Sequence, residues 1–152
     1  MKCLIVLIFA GPLLAQPIAP RCWIGGGAGW SRFQTPQTSL WQSLGVHVGR
    51  GYYSYWALDT TRRSSSLRTG VAKMLVVNQD RFGLLALVDA GVDSAGAAAG
   101  AIYGGGVIVT YALPGPVPGL HLAVAVRIYK GNTTVPNDVR PVYSVGFAKT
   151  FP

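Results

Sequence analysis

The chain contains no glutamate and few charged residues of either sign. Charged side chains make up 12% of its 152 residues, whereas soluble domains carry roughly 25%. Five acidic residues stand against 13 lysines and arginines, which gives a formal net charge of +8. Half of the residues are apolar. This composition indicates that part of the protein's surface faces something other than water.

Long apolar runs are also missing beyond the N-terminal region. A membrane-spanning helix requires about 18 consecutive apolar residues. Past the N-terminal region every stretch of that length is interrupted by polar residues or glycine. Helical periodicity is not sustained anywhere. The other structure that satisfies every backbone amide in lipid is a closed β-barrel. These absences therefore favour an all-β fold with an apolar exterior.

The N-terminal sequence MKCLIVLIFAGPLLA has the layout of a secretory signal peptide, with one lysine, an apolar core and a Gly11-Pro12 break. We predict that residues 1–15 are cleaved, that residues 16–21 form a short periplasmic segment, and that residues 22–152 form one barrel domain. Cys3 leaves with the signal peptide, so Cys22 has no partner for an intramolecular disulfide.

The remaining chain divides into eight segments rich in Val, Ile, Leu, Tyr, Trp and Gly, each long enough for a tilted strand that crosses a bilayer. Compact turns and longer or more polar connections alternate between them, as in barrels with short periplasmic turns and longer external loops. The predicted loops are Gln34 to Ser39, Arg62 to Ser66, Ala95 to Gly100 and Gly131 to Arg140. The predicted strands are Cys22 to Phe33, Leu40 to Gly49, Gly51 to Thr61, Leu67 to Val77, Arg81 to Ser94, Ala101 to Leu113, Leu120 to Lys130 and Pro141 to Phe151.

Alternation with a period of two is clearest in the second half of the chain. From Leu120 to Ile128 every second residue is Leu, Val or Ile, whereas the positions between them carry His, Ala, Ala and Arg. The first face is typical of lipid contact and the second of a narrow interior. The faces of the first four segments are less distinct, and Lys73 falls on a face that is otherwise apolar.

The chain closes on Ser144-Val145-Gly146-Phe147-Ala148-Lys149-Thr150-Phe151. In this and in its architecture it resembles the small eight-stranded outer membrane β-barrels, a group that includes the transmembrane domain of outer membrane protein A. The resemblance implies an antiparallel up-and-down transmembrane β-barrel in a bacterial outer membrane. It also implies that Ser144, Gly146, Phe147 and Phe151 form the signal that the barrel-assembly machinery recognises. Lys149 and Pro152 depart from the family pattern.

The predicted inward faces bring charged residues together. Asp89 and Arg127 fall inside the barrel at similar height, and buried charges are stable when paired. We predict an interior polar network of these two residues with Asp93 and Tyr129, which Arg68 or Ser144 can join. His47 and His121 also fall on the interior face and are expected to take part in hydrogen bonds there. Two histidines without a matching cysteine or carboxylate do not indicate a metal site.

No motif indicates catalysis or a cofactor, and the scattered arginines do not form a nucleic-acid-binding stripe. The expected function is that of a monomeric, non-enzymatic outer membrane scaffold whose loops serve adhesion, lipopolysaccharide contact or envelope stability. Arg62 and Arg63 are the candidate phosphate contacts of the outer leaflet. Two alternatives stay open: a secreted soluble barrel that carries a small apolar ligand, and a narrow ion-conducting pore.

Overall fold

The protein is an eight-stranded closed barrel in a computed structural model that describes residues 21–33, 35–78, 81–95, 97–131 and 138–152. Each strand pairs antiparallel with its neighbours in the sequence, and the first also pairs with the last. The predicted fold class, an up-and-down β-barrel, is confirmed. The strands are β1 (Cys22–Phe33), β2 (Thr35–Gly49), β3 (Tyr52–Thr61), β4 (Ser64–Asn78), β5 (Phe82–Ala95), β6 (Ala98–Ala112), β7 (Leu120–Gly131) and β8 (Asp138–Phe151).

The barrel has two rims, called the terminal end and the loop end. The terminal end holds the start of β1 and the end of β8, and the loop end holds the β1–β2, β3–β4, β5–β6 and β7–β8 connections. The predicted signal peptide, most of the predicted periplasmic segment and residues 132–137 lie outside the described residues. No helix among the described residues is long and apolar enough to cross a membrane.

The predicted long loops are wrong in three places, all at the loop end. Strand β2 begins at Thr35, β4 at Ser64 and β6 at Ala98, so most of the residues expected in those loops continue the strand ladders. Ser65, for example, lies opposite both Thr60 and Ser94. Small polar residues suggested loops, but paired backbones satisfy their amide groups equally well. Among the described connections the longest is Leu113 to Gly119, at the terminal end.

The side chains alternate between the lumen and the outer wall as the sequence predicted for β5 and β7. On β7 the side chains of Val124, Val126 and Ile128 are 41–56% exposed, whereas Ala125 and Arg127 between them are buried. Lys73 lies on the outer wall, where its Nζ donates a 3.1 Å hydrogen bond to the hydroxyl of Tyr52. Because Tyr52 begins β3, this lysine extends towards the terminal rim and keeps its charge away from the middle of the wall.

The barrel is closed by the pairing of β1 with β8, where glycines from both strands meet. Gly27 lies directly opposite Gly146. A Cβ atom added at Gly27 would collide with the carbonyl oxygen of Val145 and the Cα atom of Gly146. The two strands can therefore approach at this point because neither carries a side chain there.

We expect the substitution Gly27→Val to lower the free energy of unfolding by about 1–3 kcal/mol, since the added atoms must force the β1–β8 seam apart. Urea titration of the folded barrel in detergent micelles measures the effect. Ala28→Val is the matched control, because Ala28 is exposed on the outer wall. Equal destabilisation by both variants would contradict this account of the seam.

Candidate functional site

The lumen near the loop end contains charged side chains that lie within ion-pair distance of one another. Arg68 pairs with Asp59, and its Nη1 lies 3.7 Å from Oδ2 of Asp89. Arg127 Nη2 lies 3.6 Å from Oδ1 of Asp59. Arg140 Nη1 lies 3.4 Å from Oδ2 of Asp93. These three arginines and three aspartates, called the ion cluster below, balance in formal charge among the described residues.

Two tyrosines hold Asp89 in the ion cluster. The hydroxyl of Tyr55 donates to Oδ2 of Asp89, and the hydroxyl of Tyr129 donates to the same oxygen at 3.1 Å. The guanidinium carbon of Arg68 lies 4.1 Å from the centre of the Tyr129 ring. Asp89 therefore accepts two hydrogen bonds beside an arginine that also stacks on one of the donors, which offsets the cost of burying its charge.

Ser144 completes the ion cluster on the β8 side. Its Oγ accepts a 3.2 Å hydrogen bond from Nη2 of Arg127, and its side chain is almost completely buried. Arg127 thus contacts Asp59 on one side and Ser144 on the other. The large side chains of the cluster have room because glycines face them: Gly106 lies opposite Arg127, and Gly104 lies opposite Tyr129. A Cβ atom added at Gly106 would come within 2.9 Å of Cγ of Arg127.

Asp89, Asp93, Arg127 and Tyr129 all lie where the sequence placed them, on the inward face. Asp89 and Arg127 do not touch directly; Tyr129 connects them, since Arg127 lies 5.9 Å from the ring whose hydroxyl binds Asp89. Sequence reasoning missed Asp59 and Tyr55. Both lie on the inward face of β3, which the alternation Tyr53, Tyr55, Ala57, Asp59 would have indicated had that strand's faces been assigned.

The two histidines lie in the lumen but make contacts elsewhere, towards the terminal end. The His47 ring centre is 5.2 Å from that of Tyr53. Nε2 of His121 is 3.3 Å from Oγ1 of Thr150. Both residues lie near strand ends at the terminal rim, and on β7 His121 is three inward positions away from Arg127 of the ion cluster. Among the described residues no group of three His, Cys, Asp or Glu side chains could hold a metal ion.

The other predicted site residues lie on two different surfaces. In β8, Ser144 and Gly146 face the lumen, whereas Phe147 and Phe151 are exposed on the outer wall. Arg62 and Arg63 form the exposed two-residue connection between β3 and β4. Oγ1 of Thr61 accepts hydrogen bonds from the backbone nitrogens of Arg63 and Ser64, at 3.2 and 2.9 Å. This turn holds the arginine pair at the loop end.

The lumen changes character along the barrel axis. The space left beside the ion cluster at the loop end is about 60 Å³ and is lined mainly by Ser, Thr, Asp and Arg side chains. Below the cluster lies a layer of buried aromatic and aliphatic side chains, in which the rings of Trp23 and Tyr55 stack with centres 6.4 Å apart. A cavity of about 600 Å³ follows at the terminal end. The described lumen is therefore filled at the loop end and hollow at the terminal end.

Comparison with known proteins supports the fold. No family model matches the chain, and no curated protein matches it. A crystal structure of neisserial surface protein A (NspA) is similar, with a TM-score of 0.59 and 13% identity over 86% of this chain and 96% of that one. A de novo designed transmembrane β-barrel gives 0.58 and 15%, over 89% and 99% of the two chains. The Yersinia pestis outer membrane protein Ail gives 0.56 and 12%, over 88% and 100%. The chain has the fold of the small eight-stranded transmembrane barrels.

We expect Asp89→Asn to lower the free energy of unfolding by about 3 kcal/mol, because Arg68 loses a buried counter-charge. Tyr129→Phe should cost about 1 kcal/mol, since it removes one hydrogen bond to Asp89. Urea titration of the purified barrel measures both. Tyr103→Phe is the control, because Tyr103 is exposed on the outer wall and its loss should change stability by less than about 0.5 kcal/mol. An Asp89→Asn barrel as stable as the Tyr103→Phe barrel would show that the ion cluster does not stabilise the fold.

Proposed function

We propose that this chain is an integral outer membrane β-barrel that acts as a non-enzymatic scaffold of the cell envelope and presents basic residues to lipopolysaccharide. The observation that carries the proposal is the chemistry of the outer wall. Its exposed side chains are mainly Leu, Val, Ile and aromatic residues from all eight strands. An apolar wall of that extent would be unstable in water, whereas in a bilayer it faces acyl chains.

The charged and aromatic residues of the wall support the same placement. Within the described strands the outward lysines are Lys73, Lys130 and Lys149. Lys130 and Lys149 lie near the ends of β7 and β8, and Lys73 lies within β4 with its Nζ beside the hydroxyl of Tyr52, the first residue of β3. Trp30 and Tyr143 stack on the outer wall near the loop end, with ring centres 6.0 Å apart. In a bilayer these lysines and amphipathic rings would lie at the level of the lipid headgroups, where such side chains are favoured.

The two alternatives are less well supported. A soluble carrier of an apolar ligand needs a polar exterior, and this wall is apolar. An ion pore needs an open lumen, and the ion cluster fills the described lumen at the loop end. The non-enzymatic role is favoured because the acidic, basic and hydroxyl groups of that cluster bind one another. The similar structures include the outer membrane protein Ail, neisserial surface protein A and a designed transmembrane β-barrel, which supports placement in a membrane.

Arg62 and Arg63 are the proposed contacts to lipopolysaccharide. The Thr61 hydrogen bonds hold their turn at the loop end, and both side chains are exposed. Guanidinium groups bind phosphate in a bidentate manner. In the proposed orientation the loop end faces outwards, so the pair would lie at the level of lipid phosphates. The chain would reach this place as a monomer, inserted by the assembly machinery through Ser144 to Phe151.

We expect the protein to fractionate with the outer membrane and to migrate differently on SDS gels before and after boiling, since closed barrels resist SDS until heated. Val88→Arg should destabilise the barrel in lipid by about 2–4 kcal/mol, because Val88 lies in the middle of the outward face of β5. Val48→Arg, near the terminal rim, is the control and should cost less than about 1 kcal/mol. Recovery of the native chain in the soluble periplasm, or equal tolerance of both arginines, would refute the membrane placement.

We expect Arg62→Ala/Arg63→Ala to weaken binding of the nanodisc-embedded barrel to water-soluble deacylated lipopolysaccharide by about tenfold, the effect of losing roughly 1.4 kcal/mol of phosphate contacts. Isothermal titration at low and high salt measures it, and binding should weaken as salt rises. Arg50→Ala/Arg81→Ala removes two exposed arginines at the terminal end and is the control. If the control variant weakens binding by the same factor, binding depends on the net charge of the barrel and the proposed site is wrong.

A further inference from the structure

The cavity at the terminal end is lined mainly by apolar side chains. It encloses about 600 Å³, and its sides are formed by inward side chains of several strands. Trp41, Ala123 and Ala148 pack together, Trp23 and Leu85 belong to a second buried cluster, and Ile108 packs against both. Trp41 is fixed in place, since its Nε1 donates a 3.3 Å hydrogen bond to the carbonyl of Val145. This volume lies in the range of small-molecule sites.

The cavity is closed towards the loop end. Its wall residue Trp23 stacks on Tyr55, and Tyr55 binds Asp89 of the ion cluster. On β7, Ala123 lines the cavity and Arg127, two inward positions further along, belongs to the cluster. A molecule in the cavity would therefore enter from the terminal rim and meet the aromatic layer at its inner end. The site is a blind well.

The mouth of the well is polar and carries positive charge. Nζ of Lys149 donates to the carbonyl of Pro118 and lies 5.6 Å from the centre of the Phe151 ring. His121 and Thr150 also line the well and lie 3.3 Å apart. None of the described side chains that line the well is acidic. An apolar interior beneath a basic mouth matches a ligand with a long apolar tail and an anionic head.

We propose that this well binds a single-chain anionic amphiphile, that is, one acyl chain with a carboxylate or phosphate head. The tail occupies the space between Trp23, Trp41 and Ile108, and the head remains at the mouth beside Lys149. One chain fits, because the lumen of an eight-stranded barrel is narrow. The site is separate from the arginine pair at the loop end, and the proposal does not depend on lipopolysaccharide contact.

Tryptophan fluorescence can test the proposal, because the four tryptophans divide between the two faces. Trp23 and Trp41 line the well, whereas Trp30 and Trp56 are exposed on the outer wall. The Trp30→Phe/Trp56→Phe barrel in lipid nanodiscs is titrated with dibromostearate, whose bromines quench indoles on contact. We expect saturable quenching that unlabelled stearate reverses. In the Trp23→Phe/Trp41→Phe barrel the remaining tryptophans, Trp30 and Trp56, face the surrounding lipid. Their quenching reports how much dibromostearate partitions into that lipid, and it should not saturate.

Substitutions within the well make the test specific. In the Trp30→Phe/Trp56→Phe background, Ala123→Leu or Ala148→Leu fills the cavity and should weaken dibromostearate binding about tenfold or more. Ala90→Leu adds the same atoms to the outer wall and should leave binding unchanged. Two filling variants are used so that the test does not depend on the folding of one. A change of migration on SDS gels after heating identifies the variants that fold.

The head group is tested separately. Lys149→Gln should weaken binding of dibromostearate but not of the matching dibrominated stearyl alcohol, which has no charge. Unsaturable quenching of Trp23 and Trp41, or unchanged binding in a folded filling variant, would overturn the proposed site. Equal effects of Lys149→Gln on the acid and the alcohol would overturn the anionic head. These outcomes are independent of cell fractionation and of the Arg62 and Arg63 variants, so the two proposals can fail separately.

Discussion

The pairing of arginines with aspartates inside the lumen is the interaction on which the rest of this barrel depends. Eight strands enclose a space that side chains must fill, and this chain fills the loop end with charges that would be prohibitively costly if unpaired. Arg68 and Arg127 share Asp59, and Asp89 is held by Arg68 and two tyrosines. The opposed glycines Gly104 and Gly106 are required because these side chains are large.

The position of the ion cluster also divides the molecule by chemistry. The loop end is closed and polar within, while the terminal end contains an apolar well with a basic mouth. Outside, the wall is apolar except near its rims. This combination suits a protein that crosses a bilayer, seals its lumen on one side and leaves a pocket open on the other. The fold is shared with designed and natural transmembrane barrels at 12–15% identity.

Much of the barrel was predictable from local pattern. The number of strands and the bounds of β1 follow from segments rich in Val, Ile, Leu, Tyr, Trp and Gly that are separated by turn residues. The faces of β5 and β7 follow from apolar residues that repeat at every second position. The starts of β2, β4 and β6 were not predictable in that way, because the Ser, Thr, Ala and Gly residues found there occur in turns as well as at the ends of strands. Lys73 conflicted with its face until the structure showed Tyr52 beside it at the rim. Asp59 and Tyr55 went unnoticed because β3 alternates aromatic and polar residues on both faces.

The sequence by itself determined the fold class and which side of the wall each residue of the clear strands faces, because alternation is a property of neighbouring residues in one strand. Tertiary structure decided which inward residues meet. Asp59 reaches Arg127 and Asp89 reaches Tyr129 only because the closed sheet sets the register of every strand against its neighbours and the lumen brings non-adjacent strands together. The well at the terminal end has the same origin. Its wall comes from strands spread along the chain, and its volume depends on how far their side chains reach across the lumen.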